Sequence, residues 1–470
     1  MNRRIVVVGG GISGLAAAYR LLELSREKNL KTEILLVEAG RCLGGVISTE
    51  QVGDFLVEGG PDSFISEKPW ALRLCERLGI AARLISTNPT NQSLYVVHHG
   101  ILQPLPEGFF LLAPTRLWPL ARSPLFSWLG KLRMGLELFV PRGGNSDESL
   151  ASFVRRRLGR EVLERVAQPL VGGIYAADPE KLSLSATMPR FVEMERTAGS
   201  VIRAMWREKH GRQRGSGARW SLFVTLAGGM QELVDALASR FPTGTPKIGI
   251  KVKHLAWDAT RKTWWVATDQ GDKLEADGVI LALPSHASAE ILTAVSQELA
   301  QELKSIHYSS TATVSLAYRL EQIPSEVKGF GFVVPAVERR RIIACTFSSI
   351  KYSGRAPNNH LLFRVFVGDA LRPELFEQDD ATMEKTVRQE LDMLLGVKAA
   401  PLFCRIYRHP NSMPQYQLGH LELLQRVEAK LEKFPTLALA GNAYRGVGIA
   451  DCVHSGEEAA ERLFQLIPTP

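Results

Sequence analysis

The 470-residue chain is poor in sulfur: its five cysteines, Cys42, Cys75, Cys345, Cys404 and Cys452, are odd in number and form no CxxC pair. That pattern argues against a disulfide framework and a cysteine-built zinc site, and it points to reducing surroundings. No run of about 18 uncharged apolar residues occurs, so no membrane-spanning helix is expected. The start, Met1-Asn2-Arg3-Arg4 before an apolar stretch, imitates a signal peptide, but glycines 9–11 would break the helix such a peptide needs. The histidines His98-His99, His286 and His420 are scattered and make no H-x-E-x-x-H; no metal is expected. No Ser-His-Asp set, paired carboxylates, repeat or low-complexity tract is present. A basic stripe interleaved with aromatics is also missing, which makes nucleic-acid binding a poor reading. Lys and Arg still exceed Asp and Glu by 57 − 49 = 8, a surplus that suits an anionic substrate or an anionic membrane surface.

What is there reads as a globular protein. Hydrophobic residues make up 45% and charged residues 23%, and the length exceeds what one core supports, so two or three domains are expected. Residues 4–8 (RIVVV) read as a buried parallel strand, 13–28 as a helix and 33–38 (EILLVE) as a second strand, together a βαβ unit. From 104 to 220 the chain is rich in Pro, Trp and basic residues. Helical periodicity over 127–139 and 149–167, the latter with Ser149 or Asp147 as its cap, predicts an inserted helical subdomain. Residues 209–219 read as an exposed basic loop. Strand character returns at 248–268 and 277–283, and again at 311–318, 330–334, 342–347 and 361–367. The last unit is a strand at 437–440, a glycine-rich turn and a terminal helix from about 455.

Gly9-x-Gly11-x-x-Gly14 follows a strand and opens a helix. The first glycine allows the tight turn, the second lets the backbone approach a diphosphate, and the third lets helix and strand pack closely. The helix N-terminus then offers free N–H groups to the phosphates. Glu38, at the end of the next strand, is placed for ribose hydroxyls. The fingerprint alone does not choose between NAD and FAD. Gly44-Gly45 soon after Glu38, and a second glycine-rich strand-to-helix junction, Gly441…Gly446-Val447-Gly448-Ile449, favour FAD: the late turn can aim N–H groups at a flavin ring.

The phrases GGGISGL (9–15), E-A-x-x-x-x-G-G (38–45), E-x-G-P-D-S-F (58–64) and G-x-G-I-x-D-C (446–452) resemble the flavin amine oxidase superfamily. GIYAAD-x-x-KLS (173–183), FSS-x-x-YSGRAP (347–357), FVG (366–368) and SMPQY-x-x-GH (412–420) are similar to the oxygen-dependent porphyrinogen oxidases of haem biosynthesis, nearest the Gram-positive bacterial type. The likeness runs from residue 4 to about 464. It implies an α/β (α+β) chain in three parts. Residues 1–75, 221–300 and 420–470 are a discontinuous FAD-binding, Rossmann-like βαβ domain of the p-hydroxybenzoate hydroxylase type. Residues 76–104 and 301–419 are a mixed-sheet substrate domain, and 105–220 a helical domain that touches a membrane in some relatives.

The same resemblance implies FAD held without a covalent bond, and three hydride transfers from a porphyrinogen, each followed by reoxidation with O2 and release of H2O2. It extends the FAD-binding set to Ile12, Ser13, Ala39, Arg41, Val46, Gly60, Pro61, Asp62, Ser63 and Val252, beside Gly9, Gly11, Gly14, Glu38, Gly44, Gly45, Gly441, Val447, Gly448 and Ile449. The family has arginine where this chain has Cys42, so the part played by Arg41, one place earlier, is open; Cys404 is expected to be ordinary packing. For the macrocycle the resemblance points to Ile174, Val333, Thr346 and Phe366. Lys68 and Arg364 could serve propionates, although a solvated loop lysine is an equally simple reading of the first and a solvent-facing strand arginine the simpler reading of the second. His420 is expected to be structural. Residues 109–128 read either as a monotopic membrane face or as a cap on the substrate domain's core. Coproporphyrinogen III, with four propionates, is the expected substrate, and protoporphyrinogen IX, with two, the alternative. An amine oxidase and a flavin-free lipid-binding protein are more distant readings. A cytoplasmic location, peripheral membrane contact and a transient contact with the next haem-pathway enzyme complete the expectation.

Overall fold

In this computed structural model, residues 3–90, 92–110, 113–114, 117–144, 146–212, 221–324 and 327–467 are described. The first strand, Arg3–Val8, is β-branched from Ile5 to Val8 and buried there on both faces, as a central parallel strand must be. Its side chains alternate: Ile5 and Val7 join one core, Val6 and Val8 another. Thr32–Glu38 does the same, with Ile34 and Leu36 on the first side and Leu35 and Val37 on the second. The result is a five-stranded parallel sheet ordered Pro246–Ile248, Thr32–Glu38, Arg3–Val8, Gly278–Leu281, Leu437–Leu439. Helices Ile12–Glu27, Pro69–Leu78, Gln231–Ala238 and Ile449–Leu466 cover the first face. An antiparallel sheet of Val252–Asp258, Thr263–Thr268 and Lys273–Ala276 and helices Ser285–Leu292, Gln297–Lys304 and His420–Leu431 cover the second. Each fully buried valine or isoleucine contributes about 1.5–3 kcal/mol here.

A second, mixed sheet has seven strands in the order Phe403–Pro414, Tyr308–Arg319, His360–Val367, Ala344–Phe347, Gly331–Val333, Leu94–His98, Ile101–Pro104. All pairs are antiparallel except Gly331–Val333 with Leu94–His98. One face packs on helix Asp380–Leu395 through Met383, Val387 and Leu391. The other meets a helical layer that includes Leu150–Arg157, Gln168–Tyr175, Pro189–Ala198 and Val201–Arg212. Ser149 caps the first of these by accepting from the Ser152 amide, as the sequence suggests.

Three expectations need correction. The terminal helix begins at Ile449, not near 455, because Gly448 is already its N-cap in extended conformation. The helical reading over 149–167 breaks at Gly159, whose φ of 95° ends the first helix; after Arg160–Val162, residues Leu163–Ala167 form a π-turn. The loop over 209–219 begins later than expected: 209–212 still belong to Val201–Arg212, and 213–219 lie outside the described residues. Residues 111–112 and 115–116 of the 109–128 stretch also lie outside them.

Candidate active site: two glycine turns above a sheet face

The first turn is shaped by what a side chain would strike. Gly9 has φ 107°, and a Cβ there would sit 2.4 Å from the Ala282 carbonyl oxygen; one at Gly14 would sit 1.9 Å from the Gly9 oxygen. Both glycines are thus demanded by packing. Gly11 differs: its backbone is extended (φ −70°, ψ 175°), and a Cβ would meet nothing within 4 Å. It is the N-cap of Ile12–Glu27, and no side chain caps that helix. Open space thus lies beside Gly11 at a helix start without a side-chain cap, a cradle suited to an anionic diphosphate. Glu38 accepts hydrogen bonds from the Gly10 and Gly40 amides, each at 2.5 Å, which fixes its carboxylate at the rim. The Gly44 amide donates to the Gly10 carbonyl at 2.8 Å, and a Cβ on Gly45 would lie 3.2 Å from Gly11 Cα. The two glycine pairs thus form one continuous surface, with Ala39, Arg41, Cys42 and Val46 exposed around it. Val252 is buried in the core with Val8 and Val37, beside the strand that ends at Glu38.

The second turn arrives from the other end of the chain. Gly441 (φ 130°) donates its amide to Ser455 Oγ at 3.0 Å, and Gly446 (φ 122°) leaves no room for a Cβ, which would lie 2.4 Å from Asp451 Cγ. Gly448, exposed, opens Ile449–Leu466 with no side-chain cap. A Cβ on Gly456 would lie 2.1 Å from the Ser13 carbonyl oxygen. This close approach locks the last helix against the first and brings both uncapped N-termini to one region. Lys68 reaches across to Asp451, its Nζ 2.7 Å and 2.8 Å from the two carboxylate oxygens. It is thus ion-paired, with its side chain still 42% exposed.

Between the two turns lies the loop after strand Phe55–Glu58. A Cβ on Gly60 would fall 1.7 Å from the Val46 oxygen, so the loop is pressed onto the Gly44–Val46 turn. Past Pro61, Asp62 accepts from Ser63 Oγ at 2.8 Å and from Lys351 Nζ at 2.9 Å, with the Arg364 guanidinium 4.0 Å away. Lys351 and Arg364 hold its carboxyl well below the usual range, against the opposing effect of burial. Arg364 is only 5% exposed, donates to the Gly60 carbonyl and lies 4.8 Å over the Phe366 ring. The solvent-facing reading is therefore wrong; its strand is third of seven, and the loop covers the face it points from. His409 Nε2 lies 3.0 Å from the Gly59 oxygen.

Sheet register assembles the remaining residues. Thr346 is opposite Arg364, Ala344 opposite Phe366, and Val333 opposite Ala344, so Val333, Thr346, Arg364 and Phe366 share one face. Val333 and Ala344 are buried there with Val171 of helix Gln168–Tyr175, while Phe366 is partly buried. Ile174, on that helix, is 42% exposed. The turn after it is pinned twice: Gln415 Nε2 donates to the Tyr175 carbonyl, and the Ala370 amide to the Ala176 carbonyl. A cleft of about 460 Å³ opens between Gly45, Val46 and Ser48 and the strand segment Ile406–Pro410. Burial raises the Cys404 thiol to about 12, so it carries no thiolate. His420 is structural: it stacks on Tyr416, centroids 4.1 Å apart, and its Nε2 meets the Tyr444 carbonyl at 2.9 Å.

Sequence reasoning missed Lys351, Arg355 and Asp451, although each lies inside a quoted phrase. Arg355, 1% exposed, donates to Thr225 Oγ1 and to the Leu226 and Ala227 carbonyls and lies 3.7 Å from Glu58. Burial raises the Glu58 carboxyl from its ordinary 4.5 to about 7. The folded protein therefore holds this proton more tightly than the unfolded chain. The associated stability is fully present below about 4.5 and is lost as pH rises towards 7. Glu58→Gln should flatten that slope, recovering up to roughly 3 kcal/mol above neutrality. Urea unfolding at about pH 5 and about pH 8 checks it; an unchanged slope would show that Glu58 titrates normally.

Residues 12–464 match the family described as flavin containing amine oxidoreductase. The chain belongs to that family. A flavin is accordingly its cofactor class, and the cradles above fit one. The coproporphyrinogen III oxidase of Bacillus subtilis is 34% identical over 465 residues, covering 97% of each chain. The protoporphyrinogen oxidase of Bos taurus is 32% identical and covers both chains completely. A crystal structure of an Exiguobacterium sp. 255-15 protein superposes with a TM-score of 0.86 at 31% identity over 98% of each chain. Within the family the chain thus falls among the porphyrinogen oxidases. Among the described residues no helix is long and apolar enough to cross a membrane.

Proposed function

We propose that this chain is an oxygen-dependent coproporphyrinogen III oxidase that holds FAD without a covalent bond. The observation that carries this reading is the full-length likeness to a coproporphyrinogen III oxidase. The flavin, when bound, supplies hydride acceptance and passage of the electrons to dioxygen. The chain's own task is to hold, orient and desolvate. The amides beginning Ile12–Glu27 would hold the diphosphate, with Glu38 on the ribose. The Gly446–Ile449 turn and the Gly60–Ser63 loop would flank the ring, and Lys351 and Arg364 hold Asp62 of that loop as a fixed carboxylate. Val333, Thr346 and Phe366 give the macrocycle a flat apolar platform, with Ile174 opposite. Lys68, paired with Asp451, keeps a third N–H that could serve a propionate. The division into 1–75 with 221–300 and 420–470, 76–104 with 301–419, and 105–220 follows the same reading.

Anaerobically prepared coproporphyrinogen III and protoporphyrinogen IX, each offered in air, separate the two substrates by porphyrin fluorescence. Faster turnover of coproporphyrinogen is expected; equal or faster turnover of protoporphyrinogen would replace this assignment with the alternative. Phe366→Ala should keep flavin yet lose roughly thirtyfold in kcat/KM, the cost of about 2 kcal/mol of ring contact. Unchanged kcat/KM in steady-state assays would remove Phe366 from the platform.

The helical layer also suits peripheral contact with an anionic membrane. Trp118, Trp128, Leu129, Leu132 and Phe139 are between 62% and 80% exposed. Arg122 lies over Trp118 at 4.5 Å and Lys131 over Trp128 at 4.6 Å, so cations flank the apolar side chains. Co-flotation with anionic vesicles, lost in Trp128→Glu, tests this; no flotation of the unaltered protein would dismiss it.

A further inference from the structure

We propose that His98, His99 and Glu338 form a binding site for a divalent transition cation of the zinc class. The three residues sit at one edge of the seven-stranded sheet, away from the glycine turns. His98 ends strand Leu94–His98, His99 and Gly100 make the turn to Ile101–Pro104, and Glu338 closes the short helical turn Ala336–Glu338. Successive residues of a strand point to opposite faces, but His99 and Gly100 form a two-residue hairpin loop, both with positive φ (53° and 73°), as such tight loops require. That turn brings the two imidazoles to one side, ring centroids 4.1 Å apart.

The carboxylate is held in place independently. Glu338 Oε1 accepts from the His99 amide at 2.9 Å and Oε2 from the Gly100 amide at 3.1 Å. Each oxygen keeps a further lone pair, and Oε1 is 3.8 Å from His98 Nδ1. All three ligand atoms lie within 4.8 Å of one another. Tetrahedral bonds of about 2.1 Å need ligand atoms about 3.4 Å apart, a closure that the torsions of the exposed His99 side chain can supply. Two imidazoles and one carboxylate suit zinc and its neighbours rather than magnesium or calcium, and leave a fourth position for water. A bound cation would tie the 98–101 turn to the segment following Gly331–Val333, clamping two adjacent strand ends.

The test is zinc titration of chelator-treated holoenzyme by calorimetry, with His98→Gln and His99→Asn as variants. Asparagine tolerates the left-handed backbone, so the turn survives. The unaltered protein should take up one equivalent that each variant weakens by at least about tenfold, since even outer partners of a ligand are worth 10–100-fold. The flavin absorbance should be the same in all three, and zinc should raise the thermal midpoint of the unaltered protein alone. No uptake by the unaltered protein, or equal affinity in either variant, overturns the proposal.

Discussion

Gly11→Ala is expected to fold normally and to lose its flavin. Gly11 has an extended backbone that alanine adopts freely, and its added methyl would meet no protein atom within 4 Å. The cost to the fold is that of a poorer N-cap, about 1 kcal/mol at most. The empty space that receives the methyl is where a diphosphate must approach the backbone. FAD affinity should therefore fall at least a hundredfold, about 2.7 kcal/mol. Flavin absorbance of the purified variant reads the loss, and urea unfolding of both apoproteins reads the fold. Gly9→Ala and Gly14→Ala cannot separate the two effects, since their methyls would strike backbone oxygens at 2.4 Å and 1.9 Å. Full flavin content in Gly11→Ala would mean that the diphosphate lies elsewhere.

Gly456→Ala should damage fold and cofactor together. Its Cβ would lie 2.1 Å from the Ser13 carbonyl oxygen and 3.2 Å from the Ala17 amide nitrogen, both backbone atoms of the first helix. Neither can move aside as a flexible side chain would, so the last helix must shift bodily. Overpacking of this kind costs roughly 3 kcal/mol. The shift also moves Gly448 and Ile449 relative to Gly11. A lowered urea midpoint with weakened flavin binding is expected. An unaltered midpoint would show that the two helices are not in the contact described.

These two glycines also mark how far the sequence could be read. The turn at 9–14 was legible because its glycines, the preceding strand and Glu38 each answer a separate demand of a phosphate-binding βαβ unit. Gly456 was not, because its reason is contact with a residue 443 positions earlier. Helix Ile449–Leu466 was started too late since nothing at its N-terminus is a side-chain cap. The free amides that hide the boundary are the same ones that suit it to a cofactor. Strand Phe403–Pro414 went unread because Arg405, Arg408, His409, Pro410 and Asn411 break any apolar alternation. It is an edge strand, where such residues are tolerated. The solvent-facing reading of Arg364 stood beside the propionate one because composition cannot tell a surface arginine from one buried under a loop. Only the register that sets it under Gly60 and Asp62 reveals its task. The platform residues Val333, Thr346 and Phe366 came from resemblance, and the sheet register is what explains why they share a face.

One cofactor gripped by backbone amides from both ends of the chain is the central expectation. Denaturing the purified protein and filtering it tests this directly. One FAD per chain should pass the filter, leaving a colourless polypeptide. A protein with no flavin after reconstitution, or a flavin retained on the denatured chain, would contradict it.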